Sequence, residues 1–281
     1  MQQPSNATRA VVRMSRHGGA ASAPARLDAV EIKITVTAGQ VDHVRSELGL
    51  REGRGREVYF CEDLGLGTSI GLGTTGGRVA LRLLDAGVVL RLRQTQGRPD
   101  EVTAKLRPLR RSQLAPDWLA FTAEGDDELR IEADWAGERR VLAASLETKH
   151  DGGWLAQALR DDRPVRHLFS PRHIRFLHEC ADPDIDFTAL SVLGPIRATR
   201  WPRTPVTGFE VAAERWLLPG TSDPATDFLE LSIRVEPEGA EIAAAGFEAA
   251  MEQRGVVIDT DQETKTRRVL EILARTREPL R

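Results

Sequence analysis

The stretch that decides the fold reads VEIKITV and covers residues 30–36. Apolar and polar residues alternate along it with a period of two, which is the period of a β-strand. One face of this strand is wholly aliphatic, and the other face carries Glu31 and Lys33. The segment therefore predicts a sheet with one buried face and one charged face.

Five more segments repeat this alternation, at residues 88–93, 102–107, 128–135, 209–216 and 229–234. A sheet with one wet face alternates in the same way, so each strand taken alone has an ordinary explanation. Their polar faces, together with that of residues 30–36, carry an unusual number of full charges, which are Lys33, Arg91, Arg93, Lys105, Arg107, Arg130, Glu31, Glu132, Asp134, Glu214 and Glu230. This clustering indicates that the charged faces act together.

Strands of this design predict an α+β protein built on a closed antiparallel β-barrel. The charged faces would turn inward and line a tunnel, and the apolar faces would turn outward, where flanking helices cover them. Ser170-Pro171 is a helix N-cap followed by proline at the first helical position. The predicted helices cover residues 39–48, 151–160, 171–180, 239–254 and 261–275.

The overall composition limits location and partners. The 281 residues include 39 Lys and Arg against 42 Asp and Glu, and this net charge of −3 argues against a nucleic-acid partner. Cys61 and Cys180 lack metal-ligand spacing, and no segment is apolar enough to span a bilayer. We expect a cytoplasmic protein with no membrane partner, and the sequence leaves its oligomeric state open. Residues 1–26 have few large apolar side chains and are predicted to be a disordered leader.

The strands resemble, in order and content, the CYTH superfamily of triphosphate tunnel enzymes. The resemblance is carried by VEIKITV, VYF at 58–60, LDAGVVLRLR at 84–93, VTAKLRP at 102–108, and the later segments ERWLLP, FLELSIRV and TKTRRVLEIL. It spans residues 27–276 of a tunnel domain predicted for residues 27–281. Within this domain we predict a Gly-rich insertion at 65–77 and helical additions at 150–182 and 238–276.

Members of that family include inorganic triphosphatases, thiamine-triphosphatases and class IV adenylate cyclases, all of which use a divalent metal. The resemblance implies metal-dependent hydrolysis of a small triphosphate or polyphosphate, with Mg²⁺ or Mn²⁺ as the cofactor. It implies phosphate-binding and catalytic roles for Lys33, Arg91, Arg93, Lys105 and Arg107, with Arg130 added to the phosphate-binding set by its strand phase. It also implies a catalytic role for Glu31, and metal binding by Glu31, Glu214 and Glu230. Glu132 and Asp134 are added to the predicted metal ligands because they lie on the charged face of their strand.

Two positions depart from the family pattern. Ala29 and Ser232 stand where the family has glutamates, and a divalent cation held by fewer carboxylates is held more weakly. An alternative function is therefore a module that binds a triphosphate, polyphosphate or anionic metabolite without efficient turnover. A nucleotide cyclase is a third and weaker alternative, because the sequence shows no base-recognition pocket.

Two other features have ordinary explanations. GLGTTG at residues 71–76 matches the dinucleotide motif G-x-G-x-x-G, but no acidic residue follows about 20 positions later. We interpret it as a hairpin or loop, followed by a strand over residues 78–84. His173, His178 and Cys180 share one predicted helix but not one face, so they do not predict a metal site.

Overall fold

The computed structural model describes residues 26–36, 38–65, 74–75, 78–218, 227–258 and 265–276. Its strands are β1 Ala29–Val36, β2 Arg54–Glu62, β3 Thr74–Thr75, β4 Arg78–Val79, β5 Val88–Thr95, β6 Asp100–Leu106, β7 Ala123–Glu124, β8 Asp127–Ala136, β9 Arg139–His150, β10 Ser191–Val206, β11 Phe209–Leu217 and β12 Asp227–Val235. Its α-helices are α1 Val41–Glu47, α2 Arg82–Asp85, α3 Pro116–Ala120, α4 Trp154–Arg160, α5 Pro171–Cys180, α6 Ala240–Glu252 and α7 Lys265–Thr276. Short 3₁₀ helices cover residues 38–40, 111–113 and 165–168.

Nine strands close into a barrel in the order β1-β12-β11-β10-β2-β5-β6-β9-β8. The first and last strands of this order, β1 and β8, pair with each other and remove both edges of the sheet. That pairing is parallel, whereas the other eight neighbouring pairs are antiparallel, so the barrel is mixed rather than wholly antiparallel. The predicted fold class, a closed barrel with flanking helices, is confirmed.

Helices cover the apolar outer faces of the barrel. One cluster joins β5, β6, β8 and β9 to α4 and α5 and includes the fully buried Leu92, Leu146 and Phe176. A second joins β1, β11 and β12 to α1 and α6 and includes Ile34 and Phe247. Since burial of apolar area drives folding, these helix contacts hold the charged faces on the inside.

A third apolar cluster lies partly inside the barrel, at one end of the tunnel. Phe60, Trp216 and Phe228 are inward-facing, with ring centroids 6.3 Å apart for Phe60 and Trp216 and 5.8 Å apart for Trp216 and Phe228. Helix α7 packs against this cluster through Val269 and Leu270. The charged part of the interior is therefore bounded by an aromatic layer at this end.

Three local predictions need comment. The strand predicted at residues 78–84 is wrong beyond Val79, because α2 begins at Arg82. Within the predicted Gly-rich insertion, β3 is described and pairs with β4, which begins directly after the insertion. Residues 66–73 and 76–77 lie outside the described residues. Of the predicted leader only Arg26 is described, and it donates hydrogen bonds to the Leu129 carbonyl and to Asp28.

In the part of the chain that the structure describes, no helix has the length and apolarity needed to cross a membrane.

Candidate triphosphate-binding tunnel

The inward faces of all nine barrel strands line a cavity of about 660 Å³. Nine of the eleven predicted site residues line it, namely Glu31, Lys33, Arg91, Arg93, Lys105, Arg130, Glu132, Glu214 and Glu230. The other two, Arg107 and Asp134, line an adjoining cavity of about 120 Å³ that shares Lys33, Arg91, Lys105 and Glu230 with the first. The structure thus brings all eleven residues into one tunnel.

Three predicted phosphate-binding cations surround one carboxylate, that of Asp134, and we call these four residues the Asp134 cluster. Asp134 Oδ2 accepts hydrogen bonds from Lys105 Nζ at 2.9 Å and from Arg107 Nη1 at 3.1 Å, and Oδ1 lies 3.4 Å from Lys33 Nζ. Burial would raise the pKa of Asp134, but the charges of Lys105, Lys33 and Arg107 outweigh burial and hold it well below its usual range. Asp134 is therefore an ionised, fully engaged carboxylate.

The two lysines of the Asp134 cluster differ in their own balance of charge. Burial lowers the pKa of Lys105 to about 8, because Asp134 compensates its desolvation only in part and Lys33 and Arg107 repel it. Burial would also lower the pKa of Lys33, but Glu31, whose carboxylate lies 2.8 Å from its Nζ, and Asp134 raise it instead. Lys105 is the member of the cluster that gives up its proton more readily.

Arg91 lies in the same tunnel but makes no direct ion pair with any described residue, although Glu147 and Glu214 are near enough to favour its charge. Among the described residues its guanidinium makes no hydrogen bond or ion pair, and its buried Nε has no partner. Burial, together with the neighbouring charge of Arg93, lowers its pKa to about 10. Directly opposite Arg91 on β6, Thr103 is also buried and its Oγ1 has no hydrogen-bond partner. Buried polar groups are almost always paired, so these two unpaired atoms form a place at which a polar ligand can bind.

Arg93 and Arg130 are paired with glutamates. Arg93 lies 2.9 Å from Glu101 and 2.8 Å from Glu147, and the Arg130 guanidinium donates to both oxygens of Glu128 at 2.6 and 2.7 Å. These pairs leave both cations inside the tunnel with part of their hydrogen-bonding capacity already used. They are less available to an anion than Arg91.

Sequence reasoning missed several arginines that line the tunnel, and two of them, Arg56 on β2 and Arg200 on β10, hold a predicted metal ligand. Both contact Glu214, at 3.3 and 3.2 Å, and Arg56 also donates to Thr95 at 2.8 Å. Burial lowers the pKa of Arg56 despite the charge of Glu214. The inward face of β2 continues from Arg56 into Val58 and Phe60. The sequence of this strand therefore lacks the alternation of apolar and polar residues from which an inward Arg56 could have been predicted.

The predicted metal ligands are spread along the tunnel and most are paired with cations. Glu132 forms an ion pair with Arg234, and Glu214 is held by two arginines. Among the described residues, no three carboxylate, His or Cys side chains are gathered as a metal site. Mg²⁺, however, commonly takes only one or two protein carboxylates and completes its shell with water and substrate phosphates. Glu214 and Glu230, directly opposite each other on β11 and β12, fit that lesser requirement.

The two departures from the family pattern lie on the tunnel wall. Ala29 faces Glu132 across the parallel pairing of β1 and β8, and Ser232 faces Lys33 on β1 and Ala212 on β11. Ser232 lines the larger cavity. A carboxylate at either place would therefore extend an existing group of charges.

No family model and no curated protein matches this chain. Among solved structures, the chain is similar to HpAC1 from Hippeastrum, assigned as an adenylyl cyclase and found to have a dominant triphosphatase activity. The TM-score is 0.51 at 15% sequence identity, and the alignment covers 85% of this chain and 93% of that one. This chain shares the fold of that protein, and in this chain the fold is a closed β-barrel with flanking helices.

A second solved structure is also similar to this tunnel protein. It is the PH1819 protein of Pyrococcus horikoshii OT3, with a TM-score of 0.44, 12% identity, and coverage of 88% of this chain and 99% of that one. At these identities the likeness concerns the fold alone. The function of the tunnel has to be argued from its own residues.

Proposed function

We propose that the tunnel binds a triphosphate and hydrolyses its terminal phosphoanhydride bond with the help of a divalent cation. The observation that carries this proposal is Arg91, a half-buried guanidinium that makes no direct ion pair among the described residues and whose Nε has no hydrogen-bond partner, beside a cavity of about 660 Å³. Desolvating an unpaired cation is costly, and an anion placed against it removes that cost. Arginine is also the side chain best suited to bind phosphate oxygens in a bidentate manner.

Further cations of the tunnel would surround the rest of the anion. Arg93 lies two residues further along the inward face of β5, and Lys105 lies on the neighbouring strand β6. Their charges would stabilise the negative charge that develops on the phosphate oxygens as the anhydride bond breaks. In the reaction, water attacks the terminal phosphorus, the bridging oxygen leaves with the diphosphate, and one water proton is released to solvent.

A divalent cation would be held by Glu214 and Glu230 together with phosphate oxygens. When bound, Mg²⁺ or Mn²⁺ supplies charge neutralisation and orients the attacking water. The tunnel wall would hold the phosphate chain in line and limit the access of bulk water.

A second candidate function is binding without turnover. It is favoured by the pairing of Glu132, Asp134 and Glu214 with basic side chains, which lowers their capacity to hold a metal. A nucleotide cyclase reaction remains a weaker candidate, because nothing in the described cavity distinguishes a site for a base.

A phosphate-release assay separates these candidates. Tripolyphosphate, ATP and thiamine triphosphate are incubated with the protein and Mg²⁺ or Mn²⁺, and release of orthophosphate is expected from at least one of them. Cyclic nucleotide formed from ATP would indicate the cyclase. Absence of any product, together with a rise in melting temperature on adding tripolyphosphate, would exclude the hydrolase and retain the binding module.

A further inference from the structure

The basic residues predicted to bind phosphate are not equally available. Lys33, Lys105 and Arg107 all contact the single carboxylate of Asp134, whose side chain is only 5% exposed. With Glu31 against Lys33, the group contains three cations and two carboxylates, a net charge of +1. An approaching anion therefore meets a set of cations that is mostly neutralised already.

The oxygens of Asp134 accept hydrogen bonds from the same basic side chains that are predicted to bind phosphate oxygens. One carboxylate oxygen serves Lys33, and the other serves both Lys105 and Arg107. Two anions cannot occupy the same donors, and two carboxyl or phosphoryl groups brought together repel each other. A phosphate group that takes these donors has to separate Asp134 from them.

We propose that Asp134 is an internal counter-ion that occupies the phosphate position formed by Lys33, Lys105 and Arg107 and competes with the substrate. This inference rests on the proposed function of the tunnel. In the free protein Asp134 keeps three buried cations from facing one another, and it leaves Lys105 and Arg107 when the anion enters. Arg91, which has no such partner, makes the first contact with the anion.

The test is the affinity for tripolyphosphate without any divalent metal, measured by titration calorimetry in EDTA. Asp134→Asn keeps the size of the side chain and removes the competing charge, so we expect the dissociation constant to fall about tenfold. The matched control is Glu210→Gln, since Glu210 lines the same cavity on the inward face of β11 but does not belong to the Asp134 cluster. It should change the dissociation constant less than threefold.

Either of two results would overturn the proposal. Unchanged or weaker metal-free binding by Asp134→Asn would mean that Asp134 does not compete with the anion. An equal gain in Glu210→Gln would mean that any lost negative charge in the tunnel has the same effect. If Asp134 served only as a metal ligand, the variant would lose metal-dependent binding and gain nothing in EDTA.

A second measurement covers the case in which Asp134→Asn is too unstable for calorimetry. Removing one partner from a buried ion-pair group destabilises the fold, so the melting temperature is followed against tripolyphosphate concentration. A steeper rise for the variant than for the wild type supports the proposal, and an equal or shallower rise contradicts it.

These outcomes also separate this inference from the proposed function. If neither protein binds tripolyphosphate, with or without metal, the tunnel is not a triphosphate site and both proposals fail. If the wild type binds and hydrolyses tripolyphosphate but Asp134→Asn gains no affinity, only the role of Asp134 is wrong.

Discussion

The Asp134 cluster and Arg91 lie in one tunnel, yet their charges are balanced in opposite ways. In the cluster, three cations share a buried carboxylate at 2.9 to 3.4 Å. The Arg91 guanidinium has no partner among the described residues. The difference teaches that a residue's inward direction does not reveal its availability to a ligand. Changes in the cluster should alter stability and binding together, whereas a change at Arg91 should alter binding alone.

The largest expected effect is that of Arg91→Ala. We expect its affinity for tripolyphosphate to fall at least about 100-fold, since charged contacts of this kind are worth roughly 2–5 kcal/mol when buried. The melting temperature should stay the same or rise slightly, because burial and the charge of Arg93 outweigh the attraction of Glu147 and Glu214 for this guanidinium. Calorimetry and thermal unfolding check the two parts.

The matched control for Arg91→Ala is Arg197→Ala. Arg197 is exposed on the outer face of β10, so its loss removes the same charge from the protein without touching the tunnel. Its affinity should stay within about twofold of the wild type. Wild-type binding by Arg91→Ala would show that Arg91 is not the entry point for the anion.

The second effect is a pH dependence that originates in the Asp134 cluster. The pKa of Lys105 is about 8 in the free protein, and a bound anion raises it, so the complex holds more protons than the free protein. Affinity should therefore fall about tenfold between pH 7 and pH 9. The stability of the free protein changes in the opposite direction. Above pH 8 Lys105 binds more protons in the unfolded chain than in the folded protein, so the free energy of unfolding rises with pH until the pKa of this lysine in the unfolded chain is reached.

The control for this pH dependence is Lys105→Arg, whose guanidinium stays charged over the whole range. The ionisation of tripolyphosphate is common to both proteins and cancels in the ratio of their dissociation constants. That ratio, measured by calorimetry at pH 7, 8 and 9, should change about tenfold. A constant ratio would show that Lys105 does not contact the anion.

The smallest expected effect is a gain in metal binding. Ser232→Glu adds a carboxylate beside Glu230 on the inward face of β12, and we expect Mn²⁺ affinity to rise about threefold because charge count governs such sites. Mn²⁺ titration followed by electron paramagnetic resonance measures it. Ser145→Glu adds the same charge beside Lys105 and Arg130 and should leave Mn²⁺ affinity unchanged. Equal gains in both variants would mean that Glu230 does not take part in metal binding.

The period of two predicted six barrel strands because it is a local property of the chain. β1, β5, β6, β8, β11 and β12 all place their predicted charged face inward, as their registers and the cavity lining require. β10 was not predicted, and its 16 residues include Pro195, Pro202 and Pro205 and a register shift between Trp201 and Thr204. Proline and bulges interrupt the pattern on which such predictions depend.

Strands β2 and β9 show two other limits. β2 carries apolar residues on both faces, because its inward Val58 and Phe60 belong to the aromatic end of the tunnel, so Arg56 gave no signal. β9 does alternate, with Ser145 and Glu147 inward and Leu146 outward, so residues 139–150 carry the same local signal as the six predicted strands. The first miss was physical, and the second was avoidable.

The sequence by itself determined which faces of the strands are charged, because side-chain direction along a strand follows from the backbone alone. Only the tertiary structure decided which charges meet. Asp134 is 27 and 29 residues from Arg107 and Lys105 and 101 residues from Lys33, and barrel closure through β1 and β8 brings them together. Ion pairs depend on the distance between atoms in space. For that reason the balanced Asp134 cluster and the unpaired Arg91 look alike in the sequence and differ in the fold.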